Sequence, residues 1–456
     1  MNLPPYSKTE DSKYPWLGAF PTHWFVKRLR FVTERIEQGW SPQCDNQVAD
    51  DDVWGVMKVG CVNGDQFDAR ENKALPPELE PKPQYELRSG DVLISRANTR
   101  ELVGSAAIVP WDVRSKLLLC DKLFRIALSP EVDAAYLTFC LRTPAARYQY
   151  EQDATGASGS MQNIGQDAIK NLVLPFPSYP EQQQIAAFLD WKTNQIDALI
   201  AKKQALLEKL KEKRLAVITQ AVTKGLNPDA PMRDSGIACL GIVPVHWIIS
   251  PIKFALQEPI TDGPHETPEF FDDGIPFVSA ESVKNDRLDF DKKRGFISHE
   301  DHKRYSKKYH PKRGDVYMVK SGATTGNIAR VETDLDFNIW SPLAALRPDL
   351  DTVTTDFIFF FMKSKPFFYS VEQGWSFGTQ QNIGMGVIAN LQMAYPSVKE
   401  QKMITKQIDR QTHKIDTMRA SCVDAITCLT EYRTALITAA TTGKIDVRQV
   451  KIPVPT

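Results

Sequence analysis

Residues 163–223 read NIGQDAIKNLVLPFPSYPEQQQIAAFLDWKTNQIDALIAKKQALLEKLKEKRLAVITQAVT, and residues 382–442 read NIGMGVIANLQMAYPSVKEQKMITKQIDRQTHKIDTMRASCVDAITCLTEYRTALITAATT. The two stretches align without a gap at an offset of 219 (382 minus 163). Asn163-Ile164-Gly165, Pro177-Ser178, Glu181-Gln182, Ile185, Asp190, Ile196-Asp197, Arg214 and Ile218-Thr219 return as Asn382-Ile383-Gly384, Pro396-Ser397, Glu400-Gln401, Ile404, Asp409, Ile415-Asp416, Arg433 and Ile437-Thr438. A period near half the chain marks two copies of one unit rather than a solenoid of short repeats. Earlier signposts extend the match. His23-Trp24 returns as His246-Trp247 (246 minus 23 is 223), and Gly90-Asp91-Val92 as Gly314-Asp315-Val316 (314 minus 90 is 224). The drifting offset means that loops differ in length while the scaffold stays in step. Residues 44–80 and 262–310 share almost nothing that aligns. A shared frame with unlike inserts predicts two homologous domains that read different things.

Both copies end in a long helical pattern. Ser178 and Ser397 are each followed three residues later by Glu181 and Glu400. That is the pattern of a capping box, in which the Ser oxygen takes a free amide and the Glu reaches back to the Ser amide. Pro175, Pro177 and Pro396 halt the preceding strands, and Gly225 and Gly443 stand where C-terminal caps belong. Between these stops a 4-3 spacing runs through Ile185, Leu189, Ile196, Leu199, Leu206, Leu210 and Val217. In the second copy it runs through Ile404, Ile408, Ile415, Met418, Leu429 and Leu436. This is a coiled-coil seam with polar interruptions. Each helix is ~45 residues, or ~65 Å at ~1.5 Å per residue. Neither could stand in water with its stripe exposed, so the two stripes are expected to bury each other, antiparallel about a pseudo-two-fold axis. A rod of that length suits two half-sites on a duplex that repeats every ~34 Å.

The expected fold class is therefore α/β (α+β) globular domains in two homologous copies, joined by two long antiparallel coiled-coil helices. The boundaries fall at 1–177 (arm and first recognition domain), 178–226 (central helix), 227–396 (second recognition domain), 397–445 (distal helix) and 446–456 (tail). Within the globular parts, Asp91–Ser95, Ala106–Val109, Asp315–Val319 and Asn327–Val331 read as strands. Residues 134–149, and a stretch near 355–370, read as helices.

Composition bounds the function. Basic and acidic residues balance at 56 each, so any DNA-binding charge is local or is supplied by partners. Seven cysteines, none in a C-x-x-C pair, argue for a reducing cytosol and against a zinc site or a disulfide frame. No apolar run approaches the ~20 residues of a membrane span. A soluble cytoplasmic protein is expected.

Three features look like nucleic-acid contacts. The loop after the Gly-Asp-Val strand carries Arg96, Asn98, Thr99 and Arg100 in copy one, and Lys320, Ser321, Thr324, Thr325 and Asn327 in copy two. Arg and Asn pair bidentately with guanine and adenine edges, and Ser, Thr and Lys suit phosphates. A Gly-rich loop carries Ser158, Ser160 and Gln162 in copy one and Ser376, Thr379 and Gln380 in copy two. Glycines there let backbone approach a ligand closely. A basic run holds Lys292, Lys293, Arg294, Lys303, Arg304, Lys307, Lys308, Lys312 and Arg313, opposed locally by Glu300 and Asp301 alone. His299, His302 and His310 lie in the same run, but no ligand spacing points to a metal, and none is expected.

No H-E-x-x-H, Walker or G-x-G-x-x-G dinucleotide motif is present, and no enzyme constellation is expected. Asn2-Leu3-Pro4-Pro5-Tyr6 resembles the Asn-Pro-Pro-Tyr of amino-methyltransferases, but Leu3 spoils the spacing. The arm Leu240-Gly241-Ile242-Val243-Pro244-Val245-His246-Trp247, the Lys320-Ser321-Gly322-Ala323-Thr324-Thr325-Gly326 loop, the Gln-Asn-Ile-Gly turn and Tyr179-Pro180-Glu181-Gln182-Gln183-Gln184-Ile185 point one way. Together they resemble the DNA-specificity subunit of Type I restriction-modification enzymes, over essentially the whole chain. The resemblance implies two target recognition domains, each reading half of a bipartite asymmetric site, and a conserved helical spacer. It implies a non-catalytic subunit with no cofactor of its own. Its partners would be double-stranded DNA, two methyltransferase subunits using S-adenosylmethionine and, through them, restriction subunits using ATP and Mg. A coiled-coil adaptor for two protein partners is the alternative that the residues leave open.

Overall fold

The computed structural model describes residues 3–64, 66–155, 161–373 and 382–453. The chain forms two compact units, one of Met1–Lys202 with Ala425–Thr456 and one of Lys203–Asp424, so each unit takes part of both long helices. The helices in chain order are α1 (Ala134–Leu141), α2 (Pro144–Asp153), α3 (Gln166–Asn171) and α4 (Tyr179–Lys224), then α5 (His299–Ser306), α6 (Thr355–Met362), α7 (Lys365–Gln373), α8 (Met385–Asn390) and α9 (Val398–Thr441).

The first unit is organised by a four-stranded antiparallel sheet, ordered Thr33–Gln38, Leu123–Leu128, Val92–Ser95, Ala106–Ile108. Its inner strand Val92–Ser95 is buried at every position because both faces are covered. Val92 and Ile94 point to a core with Tyr136, Leu137 and Phe139 of α1, whereas Leu93 points to a second core with Val56, Leu117 and Leu118. The second unit repeats this on a six-stranded sheet. Val316 and Met318 face Phe357 and Phe361 of α6, and Tyr317 and Val319 face Val278, Phe337 and Ile339. Strand alternation of period two sends neighbouring residues to opposite cores. The single helices expected over 134–149 and near 355–370 are each two helices. Pro144 opens α2 behind the Thr143 cap, and Pro366 sits in the first turn of α7, since proline fits only a first turn.

The long helices are 46 and 44 residues and end at Gly225 and Gly443, both at positive φ (73° and 70°), as C-terminal capping requires. In the first unit the start of α4 packs on the end of α9: Ile185, Leu189 and Ile196 share a core with Leu436, Ile437 and Ala440. In the second, Leu210 of α4 packs with Ile415 and Cys422 of α9. The pairing is antiparallel in each unit.

The phase of the seam differs from the expected one. One heptad set is as read: Leu189, Ile196, Leu210 and Val217, with Ile408, Ile415, Leu429 and Leu436, all buried or half-buried. The other set sits one residue later, at Thr193, Ile200, Leu207, Arg214 and Ala221, and at Thr412, Ile426, Arg433 and Ala440. Leu199, Leu206 and Met418 are exposed (42%, 37% and 50%). Polar residues enter the seam because they are paired there. Asp197 takes a two-pronged contact from Arg433 (2.9 and 3.2 Å), and Asp416 takes Arg214 (3.2 Å). The four residues are exchanged by the 219 offset, so the repeat encodes one ion pair twice.

The start of each long helix is pinned in one way. Glu181 accepts from the Tyr6 hydroxyl (2.8 Å) and Trp24 Nε1 (3.1 Å) and contacts His23 Nε2 (3.0 Å). Glu400 accepts from Trp247 Nε1 (3.2 Å) and contacts His246 Nε2 (2.9 Å). The glutamates therefore do not close the expected capping boxes; the arm claims them, and only the Ser397 hydroxyl takes its N3 amide (3.4 Å). Burial and the Glu181 contact push the Tyr6 phenol well above its ordinary range. Gln182 and Gln401 tie each helix start to the residues before α1 and α6: their Oε1 atoms accept from Asp133 N (2.9 Å) and Thr354 N (2.8 Å).

Candidate nucleic-acid interface

Two of the three expected features meet at one end of the main sheet, and they do so in both units. In the first, Ala97–Asn98 pairs antiparallel with Gln162–Asn163, and Ile164 N donates to Arg96 O (2.8 Å). In the second, Ser321 bridges Asn382, and Ile383 N donates to Lys320 O (2.8 Å). The backbone at Arg96 and at Lys320 is also held alike, their amides donating to Lys122 O (2.9 Å) and Pro342 O (2.8 Å). The polar loop thus meets the described end of the Gly-rich turn, at Gln162–Asn163 in the first unit and at Asn382 in the second. Beside it a glycine recurs at an offset of 224 (263 minus 39) within otherwise divergent sequence. A Cβ on Gly39 would lie 2.0 Å from Leu119 O, and one on Gly263 would lie 1.8 Å from Ile339 O. That recurrence was a usable signal, and it marks the wall of the site.

The side chains on this surface divide into those spent inward and those facing out. Arg96 stacks on Phe124 (5.8 Å) and donates to Asp121 O (3.3 Å). Asn98 is only 6% exposed; it donates to Asn63 Oδ1 (2.7 Å) and accepts from Thr99 N (2.9 Å). The expectation that Asn98 reads a base edge is therefore corrected: both of its groups brace the loop. Thr99 and Arg100 are exposed, Gln162 is half-buried, and the exposed Lys122 joins them from the strand beyond. Ser158 and Ser160 lie outside the described residues.

In the second unit Lys320 and Lys308 converge on Asp262, at 3.3 and 2.5 Å, and His265 approaches it at 3.2 Å. Burial opposes ionisation of Asp262, but the Lys308 hydrogen bond and the charges of both lysines outweigh it and hold the carboxyl below its ordinary value. Lys320 and Lys308 are thus structural before they are contacts. Ser321 and Thr325 are half-buried, and Thr324 and Asn327 are exposed on a turn whose Gly322 and Gly326 take φ of 106° and 95°. Ser376, Thr379 and Gln380 lie outside the described residues.

The basic run is not opposed by Glu300 and Asp301 alone. Folding brings Glu281 to Arg294 (3.0 Å), Glu266 to Arg304 (2.8 Å), Asp262 to Lys308 and Asp334 to Arg313 (2.9 Å), so four of the nine positive charges are neutralised from distant sequence. Lys293 lies over the Phe296 ring (4.6 Å). Lys292, Lys303, Lys307 and Lys312 are exposed and carry no carboxylate partner among the described residues. Exposed ammonium groups without a carboxylate partner suit a phosphate backbone. Folding also brings His302, His310 and Asp336 together, a grouping that sequence spacing does not show.

Comparison with known proteins gives this geometry a family. The family described as Type I restriction modification DNA specificity domain matches residues 53–209 and again residues 265–421, more than half of the chain. A Type I restriction enzyme EcoEI specificity subunit of Escherichia coli is 31% identical over 190 residues, 41% of this chain and 31% of that protein. A putative type I restriction enzyme MjaX specificity subunit of Methanocaldococcus jannaschii is 25% identical over 53% of this chain and 55% of its own. The matched stretches span about a third to somewhat over half of these relatives. Among solved structures, a chain from work on complex assembly and conformational transition of the type I R-M system superposes with a TM-score of 0.70, at 16% identity, over 93% of this chain and 99% of its own. The HsdS subunit from Thermoanaerobacter tengcongensis gives 0.50, at 15% identity, over 93% and 98%. At these identities the structures attest the fold.

Proposed function

We propose, for a chain that belongs to the Type I restriction modification DNA specificity family, that it is a non-catalytic subunit whose two recognition surfaces read the two halves of a bipartite, asymmetric DNA site. The observation that carries this reading is the pair of equivalent surfaces after Val92–Ser95 and Val316–Val319: one backbone frame, filled by different side chains. Identical frames with unlike side chains suit two half-sites of different sequence. Arg100, Thr99, Gln162 and Lys122 face outward in one unit, and Thr324, Asn327, Ser321 and the four free lysines in the other. The recognition domains occupy 1–177 and 227–396, with helices over 178–226 and 397–445.

The partners are double-stranded DNA, two methyltransferase subunits that use S-adenosylmethionine, and restriction subunits, using ATP and Mg, reached through the methylase. This chain holds none of those cofactors, and it works in the cytoplasm. Among the described residues no helix is long and apolar enough to cross a membrane. With net charge zero, partners supply much of the clamp on the duplex. The test is to assemble the chain with its methyltransferase and sequence the modified DNA. Methylation at a split motif is expected; a single uninterrupted motif overturns the reading.

A further inference from the structure

We propose that His302, His310 and Asp336 form a site for one zinc ion, which ties the end of α5 to the segment preceding the strand Asn338–Ile339. One ligating atom from each of the three lies within 4.8 Å of the other two. His310 Nε2 is already 3.6 Å from Asp336 Oδ1. Ligands bound at ~2.0–2.1 Å in a tetrahedron stand ~3.3 Å apart, so small side-chain rotations close the set.

The histidines are held in the form a metal needs. His302 Nδ1 lies 2.7 Å from Asn338 Oδ1, a carbonyl oxygen that can only accept, so Nδ1 carries the proton and Nε2 keeps its lone pair. Asn338 is 2% exposed and in turn donates to Ser306 Oγ (3.4 Å). Ser306 Oγ faces Nδ1 of His310 at 3.4 Å, which turns that ring's Nε2 toward Asp336. A buried amide and a hydroxyl orienting two imidazoles toward a carboxylate is the outer shell that metal-binding histidines use. Two nitrogens and one carboxylate leave a fourth position for water and suit a borderline ion better than calcium or magnesium, which prefer oxygen. Sequence spacing hid the site, because Asp336 arrives from 26 residues beyond His310 (336 minus 310) on another element. The consequence is mechanical: α5 carries Lys303 and borders Lys307, so the ion would steady two of the four free lysines.

The full chain is stripped by chelator, then titrated with zinc by calorimetry and with cobalt by visible spectroscopy. One equivalent is expected, with cobalt bands lacking the thiolate charge-transfer absorption, and a rise in melting temperature. Asp336→Ala and His310→Gln remove exposed side chains, so both variants fold, and each weakens binding by about tenfold or more. His299→Ala, a neighbour outside the set, leaves binding unchanged. Equal zinc affinity in the native chain and in both variants overturns the site. A cobalt thiolate band abolished by Cys428→Ser overturns it as well, by assigning the metal to sulfur.

Discussion

The backbone site at Arg96 and at Lys320 is one position solved twice. In the first unit the cation lies on an aromatic ring and a carbonyl, with neutral Gln38 nearby at the end of the strand Thr33–Gln38. In the second it faces the buried carboxylate of Asp262, which occupies the matching strand end (262 minus 38 is 224), and Lys308 and His265 crowd in. Around both, the pins are identical: Glu-Gln at the helix start, His-Trp on the arm, Asp-Arg across the seam. Identity through the repeat marks what holds each unit together, and divergence at a held backbone position marks where the two units differ. The difference also tells the two lobes apart experimentally.

The largest effect should come from the shared pin, and it should be unequal. Glu181 is 7% exposed and serves three donors, whereas Glu400 serves two and is more open. Glu181→Ala strands the Tyr6 hydroxyl and the Trp24 indole and should cost about 3 kcal/mol, against about 1.5 kcal/mol for Glu400→Ala. Urea unfolding followed by tryptophan emission reads both, since a tryptophan touches each glutamate. Equal losses would mean that the two pins are energetically the same despite their surroundings. Next in size is the seam. Leu210→Ala empties a buried position (4% exposed) and should cost about 2–3 kcal/mol, while Leu206→Ala should stay within about 0.5 kcal/mol. A reversal would restore the other heptad phase.

That second pair shows how far the sequence was legible. The repeat gave the two units, the helix lengths, the glycine caps and the central strands, because these depend on local chemistry and on recurrence. The heptad phase was not legible. Spacings of 4-3 and 3-4 share one residue set, and hydrophobicity does not choose the other, since Leu199 stands beside Ile200 and Leu206 beside Leu207. Only a partner helix carrying Asp416 makes Arg214 an inside residue. The pairing of the two loops could be read from their recurrence, but not which of their side chains face out. The loops after the Gly-Asp-Val strands do meet Gln162–Asn163 and Asn382, but which side chains face out depends on Asn63, Phe124 and Asp262, all remote in sequence. The counter-charges on the basic run, and Asp336 beside the histidines, were hidden for the same reason.

The reading surfaces should differ in salt response. Replacing Lys292, Lys303, Lys307 and Lys312 by Ala in the assembled complex should weaken DNA binding by about tenfold and lower the slope of log K against log salt by up to ~0.9 per lysine. The motif of the other half-site should stay unchanged. Arg100→Ala in the first unit should instead lose discrimination at one base position, worth about 1–3 kcal/mol, with a slope change near one contact or less. Loss of discrimination in the quadruple variant, with an unchanged slope, would exchange the roles of the two surfaces.

The smallest effect separates the strand ends themselves. The Asp262 carboxyl is held below its ordinary value, so the folded state favours its ionised form. Stability from this group is fully present above the unfolded carboxylate value, about 3.9, and is lost as pH falls through the lower folded value. Gln38 does not titrate, so the first unit has no such loss at the matching place. Asp190 and Asp409 have the opposite sign: burial raises both, and what they contribute fades as pH rises through their folded values. They are related by the 219 offset and belong one to each unit, so they act alike on the two; Asp446 in the first unit and Asp334 in the second are also held low, by Arg448 and Arg313, so Asp262 makes the difference at the strand end itself. Acid titration with signals assigned to each unit should show the second loosening first near Lys308 and Lys320. Asp262→Asn should remove that asymmetry at low pH while costing stability at neutral pH, where two lysines lose their shared counter-charge. An acid transition that begins in the first unit, or one that Asp262→Asn leaves unmoved, would show that the two strand ends are electrostatically equivalent.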